Sequence, residues 1–211
     1  YKLLTGTDAN TPKNYIFWGK ESSWTVNQTN VKALANKSSG IDNGTITGKD
    51  NLLVAEESQV LVLSIPYENI DSICSQILPK INDECVVISP ILPMAKTDTG
   101  FECVAIKENK PFSHQTVEKH MKDVTKLVSA FHVISEKKLV NPTLALDYDI
   151  FVAGDGKESV EIVNGLINEI EGLRPIYLGP GALAYLVEMS TPLLLNAMIR
   201  NKMKNPGIKI I

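Results

Sequence analysis

Val60-Leu61-Val62-Leu63-Ser64-Ile65-Pro66 is the stretch that decides how this chain folds. It is apolar through Leu63, rich in β-branched residues and too short for a helix. A segment apolar on both sides must be covered on both faces, as an interior strand of a parallel sheet is. Pro66 removes a backbone donor and closes it. The spacing therefore predicts a strand over 60–65 at the centre of a sheet.

Toward the C-terminus, helix and strand alternate. Ile70, Ile73, Ile77 and Leu78 recur at helical spacing, Cys85 to Ser89 reads as a second buried strand, and Pro90-Ile91-Leu92-Pro93 turns the chain. Gly100 to Lys107 reads as a hairpin arm and His114 to Thr125 as an amphipathic helix. Strands follow at Leu127 to Ile134 and Asp149 to Ala153. Ser159 is placed to cap a helix over Val160 to Glu171, Ile176 to Leu178 is a short strand, and Leu183 to Lys202 is a long apolar helix. Toward the N-terminus lie a short edge strand, Gly44 to Gly48, a weak helix, Val26 to Asn36, and a strand, Tyr15-Ile16-Phe17-Trp18, ending at Gly19-Lys20-Glu21-Ser22. Tyr1-Lys2-Leu3-Leu4 reads as the last turn of a helix. This alternation is the pattern of a parallel α/β sheet.

With 211 residues, 44% of them apolar and 21% charged, the chain can bury the core of one large α/β domain or a domain with a small cap. A net charge of -3 supplies no basic stripe to replace phosphate counterions, which excludes nucleic acid as the main partner. Cys74, Cys85 and Cys103 form no Cys-x-x-Cys pair and are odd in number, so they read as reduced, half-buried thiols of a cytoplasmic protein. No apolar run approaches the ~20 residues of a membrane span.

Several local patterns invite a chemical reading. Gly154-Asp155-Gly156-Lys157-Glu158-Ser159 lacks both the first glycine and the hydroxyl of a phosphate loop, and reads as a strand-to-helix turn. Gly179-Pro180-Gly181 either lets backbone amides approach an anion or simply opens the last helix. His114 and His120 are six apart, on different helical faces, and do not make a metal pair. His132 stands at the carboxyl end of an apolar strand, where open α/β sheets place their ligands, and is either a ligand-facing or a satisfied structural histidine. No catalytic triad, paired carboxylates or metal set emerges. The chemistry, if any, belongs to a cofactor.

Taken together, Val60 to Pro66, Val86-Val87-Ile88-Ser89-Pro90, Val128-Ser129-Ala130-Phe131-His132, Gly172-Leu173-Arg174-Pro175, Glu188 to Asn196 and the ending Gly207-Ile208-Lys209-Ile210 resemble the family of coenzyme F420-dependent NADP reductases. The resemblance implies an archaeal-type oxidoreductase with a Rossmann-type, doubly wound, mostly parallel sheet and a small C-terminal helical part. Residues 1–150 are then a dinucleotide-binding domain lacking its first strand and glycine-rich turn, and 151–211 complete the sheet and the deazaflavin pocket. The implied cofactors are NADP and coenzyme F420, with hydride passing directly between their rings, so no residue is assigned as catalytic and no metal is implied. Carried over residue by residue, Ser64, Ile65 and Pro66 match the turn along the nicotinamide. His132 and Ile134 match positions facing the deazaflavin, and Thr191 and Leu195 the helical positions closing its pocket.

The departures from the family pattern carry expectations too. Members of the family open with a strand and a Gly-Gly-Thr-Gly-x-x-Gly turn that cradles the pyrophosphate. Its absence from the residues after Tyr1 implies that the gene encodes ~15 to 25 more residues ahead of it. It also implies that the Tyr15 and Val60 strands are left with unpaired inner edges, and that the chain alone binds NADP weakly. Where the family has Gly-Ser-Arg on the 2′-phosphate, this chain has Gly19-Lys20-Glu21-Ser22. Lys20 and Ser22 suit a phosphate and Glu21 suits a ribose hydroxyl, which leaves NADP against NAD open. Two other readings stay open: a related reductase acting on a flavin or imine, and a noncatalytic dinucleotide-binding module. The helix from Leu183 to Ile199 suits either a homodimer interface or an internal core.

Overall fold

The computed structural model describes residues 15–18, 24–27, 46–49, 51–134 and 146–211. Val60–Leu63 (β4) pairs in parallel with Val86–Ser89 (β5), and β5 pairs in parallel with Leu127–Ser129 (β8). Tyr148–Gly154 (β9) runs antiparallel to β8, and Leu173–Gly179 (β10) parallel to β9 at the outer edge. On the other side of β4 come Tyr15–Trp18 (β1), Trp24–Asn27 (β2) and Ile46–Lys49 (β3). Among the described residues the order is β10-β9-β8-β5-β4-β1-β2-β3, with β4 and β5 in the middle. Met94–Thr97 (β6) and Gly100–Cys103 (β7) form a separate antiparallel hairpin.

Alternation along the central strands divides the core in two. Val60 and Val62 join Val86, Ile88 and Val128 on one face, covered by Val160, Val163 and Ile167 of helix Lys157–Asn168. Leu61 and Leu63 join Val87 and Leu127 on the other, covered by Asn51–Glu57 (α1) and by Ile70, Cys74 and Ile77 of helix Ile70–Ile77 (α2). Because successive side chains leave a strand on opposite sides, an all-apolar strand needs both covers. Two short helices, Val104–Lys107 (α3) and Ser113–Glu118 (α4), follow the hairpin; Lys157–Asn168 is α5 and Ala184–Arg200 is α6.

Some expectations give way. β1 pairs with β4 antiparallel, Tyr15 opposite Leu63 and Trp18 opposite Val60, so the inner edge of the Val60 strand is paired. Backbone groups on a central edge demand partners, and either strand direction satisfies them. Where a helix was expected from Val26, Trp24–Asn27 is a strand, in keeping with its aromatic and β-branched residues; 28–36 lie outside the described residues. The helix from His114 stops at Glu118, and the strand from Leu127 stops at Ser129, two residues before Phe131 turns to φ +71°. Gly156, not Ser159, precedes the first helical residue of α5, and Ser159 is buried within its first turn. The three cysteines are buried rather than half-buried, Cys74 and Cys85 completely, and are unpaired, and burial pushes the Cys74 and Cys85 thiols up to about 12.

Candidate functional site

Since β4, β5 and β8 run the same way, their carboxyl ends share one edge of the sheet, where an open α/β fold presents its ligand crevice. At the end of β4, Ser64 is half-buried and Pro66 exposed, while the Ile65 side chain enters the core beside Leu63 and Ile70. One strand further, Ser89 leads to Pro90 and Ile91. Beyond β8 the positive φ of Phe131 folds the chain back, a conformation that L-residues adopt only where the surroundings impose it. That turn sets His132 against the Ile91 carbonyl, with Nε2 donating at 3.2 Å.

A carbonyl can only accept, so Nε2 carries the hydrogen and Nδ1 carries a lone pair. Nδ1 is buried and has no hydrogen-bond partner among the described residues. Burial holds the imidazole neutral, lowering its pKa to about 3 against the opposing pull of the Ile91 bond. From α6, Thr191 Oγ1 donates to the His132 carbonyl at 2.6 Å. The structure thus brings His132 and Thr191 into direct contact, with the Thr191 proton already committed to the loop. Ile134 packs half-buried against the β4 core and Leu195 is half-buried on α6. Lys20 and Ser22 lie outside the described residues.

Sequence reading missed two buried polar groups beside this loop. Glu188, 1% exposed, accepts from the Ser113 and His114 amides at 2.9 Å each, closing the first turn of α4 from a helix some 75 residues away. Burial raises its carboxyl to about 7 despite those two donors. His114 Nδ1 meets Ser129 Oγ at 2.9 Å, and burial lowers this imidazole to about 4, opposed by the charge of Asp155. A Cβ on Gly181 would overlap the His114 ring and the Asp155 carboxylate, which explains why glycine opens the last helix. The one available signal was Glu188 itself, an acid alone in an apolar helix; such a residue is buried only when partnered.

At 20 residues, Gly181–Arg200 is long and apolar enough by length and composition to cross a membrane, against the expectation from the bare sequence. Its Glu188, Thr191 and Asn196 side chains are instead bonded to α4, the His132 loop and the hairpin. Elsewhere, the amino ends of β9 and β10, which lie on the same edge as the carboxyl ends of β4, β5 and β8 because β9 is antiparallel to β8, are fastened by Asp149, fully buried, which takes Arg174 at 2.8 and 2.7 Å and the Ile210 amide at 2.6 Å.

The chain is 31% identical over 174 residues to the F420-dependent NADP reductase of Methanocaldococcus jannaschii, covering 82% of this chain and 77% of that protein. To the F420-dependent NADP reductase of Methanothermobacter thermautotrophicus strain Delta H it is 28% identical over 172 residues, 81% of this chain and 74% of the relative. Among solved structures, an inferred F420-dependent NADP reductase from Arthrobacter sp. FB24 superposes with a TM-score of 0.66 at 14% identity, covering 89% of this chain and 87% of that one. At that identity the likeness speaks for the fold. No protein-family profile matches the chain.

Proposed function

Because the chain belongs to the family of F420-dependent NADP reductases, we propose that it transfers hydride between NADP(H) and coenzyme F420 at the carboxyl edge of the sheet. The observation that carries this reading is the His132 loop: a buried, neutral imidazole with an unpartnered acceptor, fixed from two sides at the place where the fold presents its crevice. An orphaned acceptor suits a planar ring with an N–H at its edge, and its neutrality suits a ligand that brings no acid–base chemistry.

The bound pair supplies the hydride donor and acceptor; the residues orient and exclude water. Ser64, Ile65 and Pro66 lie along the nicotinamide, Ile65 from below through the core. His132 and Ile134 face the deazaflavin, with Thr191 and Leu195 closing its pocket, and Thr191 acts through the His132 carbonyl it holds. Lys20 and Ser22 are assigned to the 2′-phosphate. Exposed Leu186 and Leu193 on α6, the latter 67% exposed, suit a homodimer contact, and buried reduced thiols suit the cytoplasm.

The test is stopped-flow mixing of the full-length gene product with NADPH and oxidised F420. Loss of the deazaflavin absorbance on a turnover timescale is expected. A protein that binds either coenzyme without that change is a binding module, and the proposal fails.

A further inference from the structure

The β6–β7 hairpin stands outside the main sheet, and two strands alone are marginal in water. Its root belongs to the site. Ile91, whose carbonyl holds His132, lies just before β6, and the Val104 amide closes the base on Pro93 O at 2.6 Å. Its far end is held by α6. Asn196 faces the Phe101 backbone as a strand would: Oδ1 accepts from Phe101 N at 3.0 Å and Nδ2 donates to Phe101 O at 2.7 Å. Nδ2 also donates to Pro192 O one turn back at 2.9 Å, which fixes the amide's orientation. One turn on, Arg200 Nη2 donates to Thr99 O at 2.5 Å. Gly100 sits at φ +133°, and a Cβ there would collide with the Asn196 amide, so the hairpin tip is shaped to receive that side chain.

The same helix therefore holds two segments at once, the His132 loop through Thr191 and the hairpin through Asn196. We propose that Asn196 is a positioning residue for coenzyme F420: by fixing the hairpin against α6 it sets the outer wall of the deazaflavin site and governs affinity for that coenzyme but not for NADP. This rests on the functional reading above. Undocking the hairpin lowers the fraction of molecules with a formed wall and weakens apparent affinity in proportion.

The experiment uses the full-length protein and its Asn196→Ala and Gly100→Ala variants. For each, KM for F420, KM for NADPH and kcat are measured, with hydrogen exchange at the Phe101 amide. Loss of the two bonds should raise the F420 KM about fivefold or more, with kcat at saturating coenzyme and NADPH KM within about twofold. Phe101 exchange should accelerate, Gly100→Ala should show the same pattern, and the double variant should be no worse than either single one. Wild-type protein that does not reduce F420 overturns the functional reading and the proposal with it. Active wild type whose Asn196→Ala variant keeps its F420 KM, or raises both KM values together, overturns the proposal alone.

Discussion

Replacing Glu188 with Gln should change stability in a direction that depends on pH. In the folded protein the carboxyl titrates at about 7 instead of 4.5, because burial penalises its charge more than the Ser113 and His114 amides repay it. Below pH 4.5 the group is protonated in both states and costs nothing. As pH rises toward 7 the unfolded chain releases a proton that the folded chain keeps, and folding weakens by about 1.4 kcal/mol per pH unit, about 3 kcal/mol in all, before levelling off. Gln does not titrate and escapes this loss. Its single carbonyl oxygen serves one amide, however, and its NH2 faces the other, at a cost of about 1–3 kcal/mol at every pH. The variant should therefore be less stable than wild type at pH 5 and equal to it or more stable at pH 8. Urea unfolding at both values measures the difference, and the pH responses of His114 and His132 cancel between the two proteins. A gap that stays constant within about 0.5 kcal/mol would refute the buried-carboxylate reasoning.

Thr191→Val leaves the buried His132 carbonyl without its donor, so it should cost about 1–3 kcal/mol in denaturant unfolding and raise KM for F420 several-fold, with nicotinamide binding nearly untouched. His132→Asn should lower hydride-transfer rate without creating a new pH optimum between pH 5 and 9, since an imidazole that titrates at about 3 is neutral throughout; a rate–pH profile reports this. Its neutral burial makes His132 a source of acid lability: stability present above the ordinary histidine pKa of 6.5 is lost as pH falls below it, and less so in the Asn variant. Arg174→Gln leaves the buried Asp149 carboxylate with the Ile210 amide but without its guanidinium, and should lower Tm, read in a thermal melt.

The central strands were legible because burial on both faces leaves a run with no polar position to misread, and Val60–Leu63 and Val86–Ser89 lie where their residues place them. The hairpin was legible in part: its β7 arm lies within the expected segment, whereas Val104–Lys107 turns helical. Reading failed where local chemistry permits two answers. Trp24–Asn27 has enough β-branched character to be a strand, and only a neighbouring edge decides it. Ser159 has the right side chain for a cap, yet the chain enters the helix earlier and buries it.

What the residues determined alone is the alternation of elements, a doubly covered sheet and, through motifs spread over much of the chain, membership in a reductase family. These follow from short-range regularities: strand and helix periods, turn residues, and matched local patterns. Tertiary structure alone decided that β1 meets β4 antiparallel, that Glu188 closes the first turn of α4, that Thr191 spends its proton on His132, and that Asn196 grips the hairpin. Each of the side-chain contacts is a polar bond between residues 59 to 95 positions apart. Such partners leave no periodic trace, because a hydrogen bond depends on where two atoms end up in space, and that is set by the packing of every element between them.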